Sequence, residues 1–477
     1  MTALDVRTIT GTTAPARNPW RWVVFAVVFA ANLMDLFDAT IVNVAGPSIH
    51  DNLGGGASTV QWLSAGYTLA FAVLLIAGAR LGDILGRRRL FLVGSAGFTI
   101  FSAACALSPD ITVLIAFRAL QGAFGALMIP QGFGLMREAL DDREFSKATG
   151  MFGPAMGLPM LAAPILAGAL VDANLWGTGW RLVFLINVPI GMVSFALALK
   201  SLPRGASHSG MKLDVVGVWL IGLALVAIIY PLIQGQPDGW PAWTFILLGA
   251  GLVLLFAFLT WEKRRTSDAL IEPSLLRNRN YLSGIAVALA LFGAFSGLLL
   301  CVSLYGQLGE GWSPIHAGLT LTPMVVGMIV GMVGGTVAVA RLGRRVLHLG
   351  LLVIAAGAAT LALTLTGAQT ASSWDLLPGL FLIGAGAGAS IGQLFQFILS
   401  SVTMREVGSA SGVLEATQQL STSLGVAILG TIFLSGIGHH LPTRAMEITT
   451  WACLVPLAIA FALVFRLPMH ARPEQTA

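Results

Sequence analysis

The chain has 477 residues, of which 56% are hydrophobic and only 10% charged, with a mean hydropathy of +0.83. Soluble domains carry roughly 25% charged residues, so a water-soluble globule of this length is excluded. The formal net charge of +5 follows from the placement of basic loops described below and calls for no nucleic-acid partner.

Apolar runs of about 20 residues, each long enough to cross a bilayer, are read between charged punctuation in chain order. The first six fall at 21–45, 59–79, 90–108, 112–136, 147–170 and 182–199. Two more follow at 214–234 and 243–261, then six at 280–304, 316–340, 347–367, 376–400, 408–435 and 446–466. The expected fold is therefore an all-α integral membrane protein with fourteen transmembrane helices. It divides into a cytoplasmic tail over 1–20, a six-helix bundle over 21–200, a linker with two additional helices over 201–279, a second six-helix bundle over 280–467 and a cytoplasmic tail over 468–477.

Charge placement tests this count. Cytoplasmic loops collect Lys and Arg, and 24 of the 27 basic residues fall on one side if both termini are cytoplasmic. They are Arg7, Arg17, Arg21, Arg80, Arg87, Arg88, Arg89, Arg137, Arg143, Lys147, Lys200, Arg204, Lys212, Lys263, Arg264, Arg265, Arg277, Arg279, Arg341, Arg344, Arg345, Arg405, Arg466 and Arg472. Arg181 and Arg444 fall opposite, and Arg118 lies inside the fourth span. Trp20, Trp22, Trp176, Trp180, Trp240, Trp243, Trp261, Trp312 and Trp374 stand at span edges, where Trp anchors at headgroup level; ordinary packing is the alternative for any one of them. Cys105, Cys301 and Cys453 all fall within spans, so neither a disulfide framework nor a metal-ligand spacing is expected. The first apolar stretch is too long for a cleaved signal and is expected to be retained. The excess of Arg over Lys and the Ala/Gly richness point to a GC-rich bacterial genome, and so to a bacterial cell membrane.

Three carboxylates interrupt the apolar runs: Asp35 and Asp38 in the first span and Glu415 in the thirteenth. A carboxyl group in a bilayer core costs several kcal/mol unless it meets a wet cavity, a partner or a proton, so such groups mark a transport path. Asp35 and Asp38 are three apart and lie on adjoining parts of one helical face, where double ionisation is disfavoured. They are candidates for proton coupling; the alternative is that each hydrogen-bonds a neighbouring Asn or backbone group. Glu415, Gln418, Gln419 and Thr422 recur at i, i+3, i+4 and i+7, one polar stripe that suits a cavity wall or a polar helix contact. The run Gly384-Ala-Gly-Ala-Gly388 sits inside an apolar span and reads as a close helix contact, not a phosphate loop. No Gly-x4-Gly-Lys-Ser/Thr loop occurs, so ATP is not the fuel and an ion gradient remains.

The second span runs into Gly78-Ala-Arg-Leu-Gly-Asp-Ile-Leu-Gly-Arg-Arg-Arg89, and the tenth into Gly334-Gly-Thr-Val-Ala-Val-Ala-Arg-Leu-Gly-Arg-Arg345. Aligning Gly86 with Gly343 superposes Arg87 and Arg88 on Arg344 and Arg345, with Ala340 where Asp83 stands. A six-plus-six repeat with two inserted spans accounts for the separation and suggests two bundles rocking about a central site.

On these motifs the sequence resembles the major facilitator superfamily, and within it the fourteen-span drug:proton antiporters, over nearly its whole length. The 78–89 stretch is similar to the Gly-x3-(Gly/Ala)-Asp-x2-Gly-Arg-Arg signature, with Ile84 replacing a basic residue. Arg118-Ala-Leu-Gln-Gly122 resembles the span 4 signature, and Phe37-Asp-Ala-Thr-Ile-Val-Asn-Val-Ala-Gly-Pro47 the span 1 signature, with Phe37 and Gly46 departing. Ala163-Pro-Ile-Leu-Ala-Gly168 matches the span 5 exporter motif less closely. Trp180-Arg-Leu-Val-Phe-Leu-Ile-Asn-Val-Pro-Ile-Gly191 and Ser411-Gly-Val-Leu-Glu-Ala-Thr-Gln-Gln-Leu420 resemble the fourteen-span branch.

The resemblance implies export of hydrophobic, cationic drugs or a secreted metabolite in exchange for protons. Arg118 would serve proton relay beside Asp38 and Asp35; the alternative is that it snorkels to the interface. Gly78, Gly82, Asp83, Gly86, Arg87, Pro164 and Gly168 would serve gating, with Asp83 meeting a helix N-terminus of the other bundle; a tight turn with topology-setting Arg residues is the alternative for 78–89. Glu415, Gln418, Gln419 and Gln121 would line the substrate site. No cofactor, metal or catalytic residue is expected, and the partners are substrate, protons and the lipid bilayer, with the protein acting as a monomer. The competing transport reading is a proton-coupled symporter of a small nutrient. An intramembrane enzyme would need a nucleophile with a base or a metal set, which the spans do not supply.

Overall fold

The computed structural model describes residues 19–55, 58–203, 213–235, 237–265, 269–402, 406–439 and 441–470. The basic positions Arg7, Arg17, Arg204, Lys212, Arg405 and Arg472 lie outside the described residues. Among the described residues every regular element is helical.

The helices, in chain order, are α1 (Arg21–Leu53), α2 (Thr59–Leu85), α3 (Arg87–Ala106), α4 (Ile111–Met128), α5 (Gln131–Ala139), α6 (Asp142–Ala173), α7 (Leu182–Leu185) and α8 (Asn187–Ser201). There follow α9 (Val215–Gln234), α10 (Ala242–Arg264), α11 (Arg279–Leu304), α12 (Pro314–Thr320) and α13 (Thr322–Leu342). The chain continues through α14 (Arg345–Leu365), α15 (Ser373–Leu399), α16 (Val407–His439) and α17 (Pro442–Val464). Twelve helical stretches among the described residues are long and apolar enough to cross a membrane, or thirteen if the bent pair Thr59–Leu75 and Ala77–Leu85 is one span.

Proline explains why some predicted spans arrive in two pieces. Pro130 separates α4 from α5, and Pro189 leaves the carbonyl of Leu185 without an intrahelical donor, so the helix breaks between α7 and α8. Pro323 acts likewise near the α12/α13 junction. The internal repeat survives in geometry. α2 ends at Gly86 with φ 95° and α13 at Gly343 with φ 54°, a left-handed conformation that glycine adopts without Cβ strain, and in both copies an Arg opens or adjoins the next helix.

Close packing holds the helices together. α2 packs on α4, α3 on α4 and α8, and α1 on α6 and α8; in the second half α15 packs on both α13 and α14, and α11 on α16 and α17. α9 and α10 pack on each other, and α9 touches both α2 and α16. The Gly384–Gly388 run is a contact surface. A Cβ at Gly384 or Gly388 would overlap the backbone of Met324 or Met328 on α13, and one at Gly386 the carbonyl of Gly350 on α14. In α2, Gly78 presses on the carbonyl of Ala126 and Gly82 on the side chain of Gln131, whereas Gly86 has open space around it. Gly78 and Gly82 are thus helix-contact positions, and only Gly86 makes the turn.

Trp180 differs from expectation. It is 3% exposed, with its Nε1 donating to Asn52 Oδ1 at 3.1 Å, and is a packing residue rather than an interface anchor. Cys105, Cys301 and Cys453 are buried free thiols.

Candidate functional site

The site is built on the middle of α1. Asp38 and Arg118 are both fully enclosed, at 0% exposure, and form an ion pair through Arg118 Nη1 and Asp38 Oδ2. Two charges taken out of water cost several kcal/mol each, which only close pairing and further hydrogen bonds offset. Such bonds reach every polar atom of the pair except Arg118 Nη2, which is buried without a hydrogen-bond partner. Gln121 Nε2 donates to Asp38 Oδ1 at 2.9 Å and Asn187 Nδ2 to the same oxygen at 3.2 Å. Arg118 Nε donates to the carbonyl of Leu63 at 3.1 Å, and its Nη1 also reaches Gln121 Oε1 at 3.0 Å. The guanidinium lies over the Tyr67 ring, 4.3 Å from its centroid, a cation–π contact that is strengthened by desolvation.

Sequence spacing explains the arrangement. Arg118 and Gln121 are one turn apart on α4 and so present two donors to one carboxylate. The close approach of α2 needs Gly122, because a Cβ there would overlap the Tyr67 carbonyl.

Asp35, one turn earlier on α1, takes a different partner: the Tyr67 hydroxyl donates to its Oδ1. The adjoining carboxylates are thereby served separately, Asp35 from α2 and Asp38 from α4 and α8. Glu415 on α16 lies within electrostatic reach of Asp35 across the two halves of the chain. Glu415, Gln418 and Gln419 are all half-buried. Thr422, next on that stripe, meets Ser296 of α11 at 3.1 Å.

Gln121 is relocated relative to the sequence reading. At 0% exposure, and bonded to both Asp38 and Arg118, it is part of the ion-pair cluster. Tyr67, Asn187 and Ser102 are site residues that sequence reasoning missed. Asn187 lies in the 180–191 motif, and an Asn in an otherwise apolar stretch was the available signal; Tyr67 and Ser102 gave none.

The gating candidates separate into two places. Let the face where α1 begins be the near face and the one where it ends the far face. Asp83 sits near the former, its Oδ1 3.1 Å from Arg87 Nη2, and Arg87 also approaches Glu138 at 3.7 Å. Asp83 is thus engaged within its own half here, not against a helix of the other. Pro164 and Gly168 are on the far face. A Cβ on Gly168 would strike the backbone of Pro314 and Ile315, and one on Gly318 the carbonyl of Pro164. Asp172 continues the stripe and accepts from Ile315 N at 3.1 Å. The far face is further joined by Ser303 Oγ to the carbonyl of Asn43 at 2.8 Å and Gln307 Nε2 to that of Val44 at 2.9 Å. Gln61 Nε2 reaches the carbonyls of Val426 and Ala427, each at 3.2 Å. Among the described residues no group of three or more metal-ligating side chains comes together.

A family model described as the Major Facilitator Superfamily matches residues 28–215 and 212–426. The chain is 47% identical over 426 residues to a probable actinorhodin transporter of Streptomyces coelicolor, covering 88% of this chain and 74% of that one. It is 33% identical to the tetracenomycin C resistance and export protein of Streptomyces glaucescens, covering 89% and 78%, and 34% identical to a puromycin resistance protein of Streptomyces alboniger, covering 94% and 89%. Among solved structures, an auto-inhibited peptide transporter of the POT family superposes with a TM-score of 0.68 over 94% of this chain and 99% of that one. At 14% identity that likeness is one of fold.

Proposed function

This chain belongs to the Major Facilitator Superfamily and is a membrane transporter, not an enzyme; from that premise we propose that it exports a hydrophobic, cationic drug or secreted metabolite in exchange for protons. The two relatives named for export or antibiotic resistance, those of tetracenomycin C and puromycin, support the direction of transport. The observation that carries proton exchange is the enclosure of Asp38 by donors from two neighbouring helices, with Asp35 and Glu415 continuing a line of carboxylates toward the second half. A carboxylate held by a fixed cation keeps its charge, and one whose partner withdraws takes up a proton. Rocking of the halves would alternate the two conditions.

In this reading the protein has fourteen spans, with Asp142–Ala173 as the fifth and the α9/α10 hairpin inserted between two six-helix bundles. It works as a monomer in a bacterial cell membrane, with both termini in the cytoplasm. The near face is then cytoplasmic. The seam of Pro164, Gly168 and Asp172 against α12 is the closed external gate of a cytoplasm-facing state. In the opposite state Asp83 leaves Arg87 and caps a helix N-terminus of the second bundle, worth about 1 kcal/mol through the helix dipole. Glu415, Gln418 and Gln419 face the substrate.

The test is Asp38→Asn in proteoliposomes with an imposed pH gradient. The variant is expected to insert normally, lose gradient-driven transport and release no protons on adding substrate. Normal coupled transport by this variant would move the coupling role to Asp35 or Glu415. Movement of substrate in the same direction as protons would replace export by uptake.

A further inference from the structure

Asn187 of α8 is a fully buried amide whose orientation its neighbours dictate. Its Nδ2 lies 3.2 Å from Asp38 Oδ1 and 3.2 Å from Ser102 Oγ. The Ser102 hydroxyl proton is already committed to the Phe184 carbonyl at 2.9 Å, so toward Asn187 the serine oxygen only accepts. Both neighbours of the amide nitrogen are therefore acceptors, and both of its N–H groups are used. The other end of the same group is unserved, because Asn187 Oδ1 is buried and has no hydrogen-bond partner.

A half-satisfied buried amide costs free energy, and a site built only to hold a carboxylate would gain from serving both ends. The arrangement suits an Asp38 that takes two forms. Ionised, it needs donors, which Asn187 supplies. Protonated, it carries an O–H that needs an acceptor, and its other neighbours are ill suited. Arg118 is donor-only, and Gln121 already spends its Oε1 on Arg118.

We propose that Asn187 is a positioning residue for the proton carrier: its amide donates to ionised Asp38 and rotates by half a turn to accept from the protonated acid. The rotation brings Oδ1 against the Asp38 O–H, turns the Ser102 hydroxyl from Phe184 O to the amide oxygen, and carries Nδ2 into the position where Oδ1 has no partner, so the amide is held by one end in either form. No bond is made or broken other than the transfer of one proton to an Asp38 oxygen. The inference rests on the reading of Asp38 as the proton-coupling group. The other titratable or charged groups around Asp38 are Arg118 on α4, Asp35 on α1 with Tyr67 from α2, Cys105 on α3, whose Sγ meets Gln121 Oε1 at 3.7 Å, and Glu415 across on α16.

The test uses the full-length transporter in proteoliposomes. Asn187→Leu is similar in size and removes both donor and acceptor. Hydrogen bonds to an ionised group are roughly twice as strong as neutral ones, so losing the donor outweighs losing the acceptor. The pH of half-maximal coupled transport should rise by about half a unit to one unit, and Asn187→Thr, which both donates and accepts, should recover most of it. Infrared difference spectra provide the second measurement. The C=O stretch of protonated Asp38, assigned by its loss in Asp38→Asn, should shift in Asn187→Leu and in Ser102→Ala. An unmoved pH profile, or an Asp38 acid band identical with and without Asn187, would overturn the proposal. Should Asn187→Leu fail to insert, the Ser102→Ala band decides alone. Retained coupling in Asp38→Asn would sink the reading of Asp38 itself. Lost coupling there, with no effect at Asn187, sinks only the rotating amide.

Discussion

Asp38 and Glu415 are both carboxylates among apolar helices, yet their surroundings differ. Asp38 has an Arg partner and two amide donors and is shut away from solvent. Glu415 is half-buried on a polar stripe. An unpaired carboxylate in low dielectric attracts a cation strongly, while a neutral molecule gains much less. Glu415→Gln is accordingly expected to reduce export of cationic compounds more than neutral ones, with the loss deepening for dications. If Glu415 holds the cation as proposed, protons compete with it there, and wild-type affinity for cationic substrates should fall as pH falls. Equilibrium binding across a charge series, at two pH values, measures both. Equal loss for every charge class would return Glu415 to proton coupling or helix packing.

At the scale of elements, small residues decide which helices meet and which can part. The contact of α13 with α15 is close over two turns, since Gly384 and Gly388 on α15 and Gly327, Gly331 and Gly335 on α13 let the backbones touch. Small residues are how helices associate tightly where lipid offers no hydrophobic drive. The α6/α12 seam uses the same chemistry on fewer positions, Gly168 against Pro314 and Ile315 and Gly318 against Pro164, which suits a joint that opens. The obstruction at Gly168 is backbone, which cannot swing aside. Gly168→Val should therefore leave the protein inserted while keeping the far face from closing, with turnover falling tenfold or more. A cysteine placed at Ser303, with Cys105, Cys301 and Cys453 replaced by Ala, should react with a membrane-impermeant reagent markedly faster when Gly168 is also changed. An equal rate at the Ser303 position with and without Gly168→Val would remove this seam from the gate.

For the whole molecule the prediction is topological. The hairpin of α9 and α10 touches both α2 and α16, and its following segment is tied to α2 by Arg80 Nη2 donating to the Ala269 carbonyl at 2.7 Å. With fourteen spans and cytoplasmic termini, the turn between α9 and α10 faces outward and the segment entering α11 faces the cytoplasm. Reporter fusions after Asp238 should read external and fusions after Arg279 cytoplasmic. A cytoplasmic reading at Asp238 would break the count and, with it, the assignment of the far face as the external gate.

How much of this was legible in the chain follows from what each signal depends on. Hydropathy and the asymmetric placement of Arg are local, so membrane insertion and the helical class could be read without coordinates, and the repeat around Gly86 and Gly343 could be read because turns of positive φ favour glycine. The polar exceptions Asp35, Asp38, Arg118 and Glu415 announced themselves, since each is costly in a bilayer. Their pairing did not. That Asp38 faces Arg118, that Tyr67 takes Asp35, that Gln121 turns inward to the ion pair and that Asn187 completes it with one end unserved all depend on helices 30 to 150 residues apart lying at van der Waals distance. A polar side chain in an apolar run tells only that a partner is needed; which group supplies it is set by helix rotation and packing, and these are fixed only when all the helices have closed around one another.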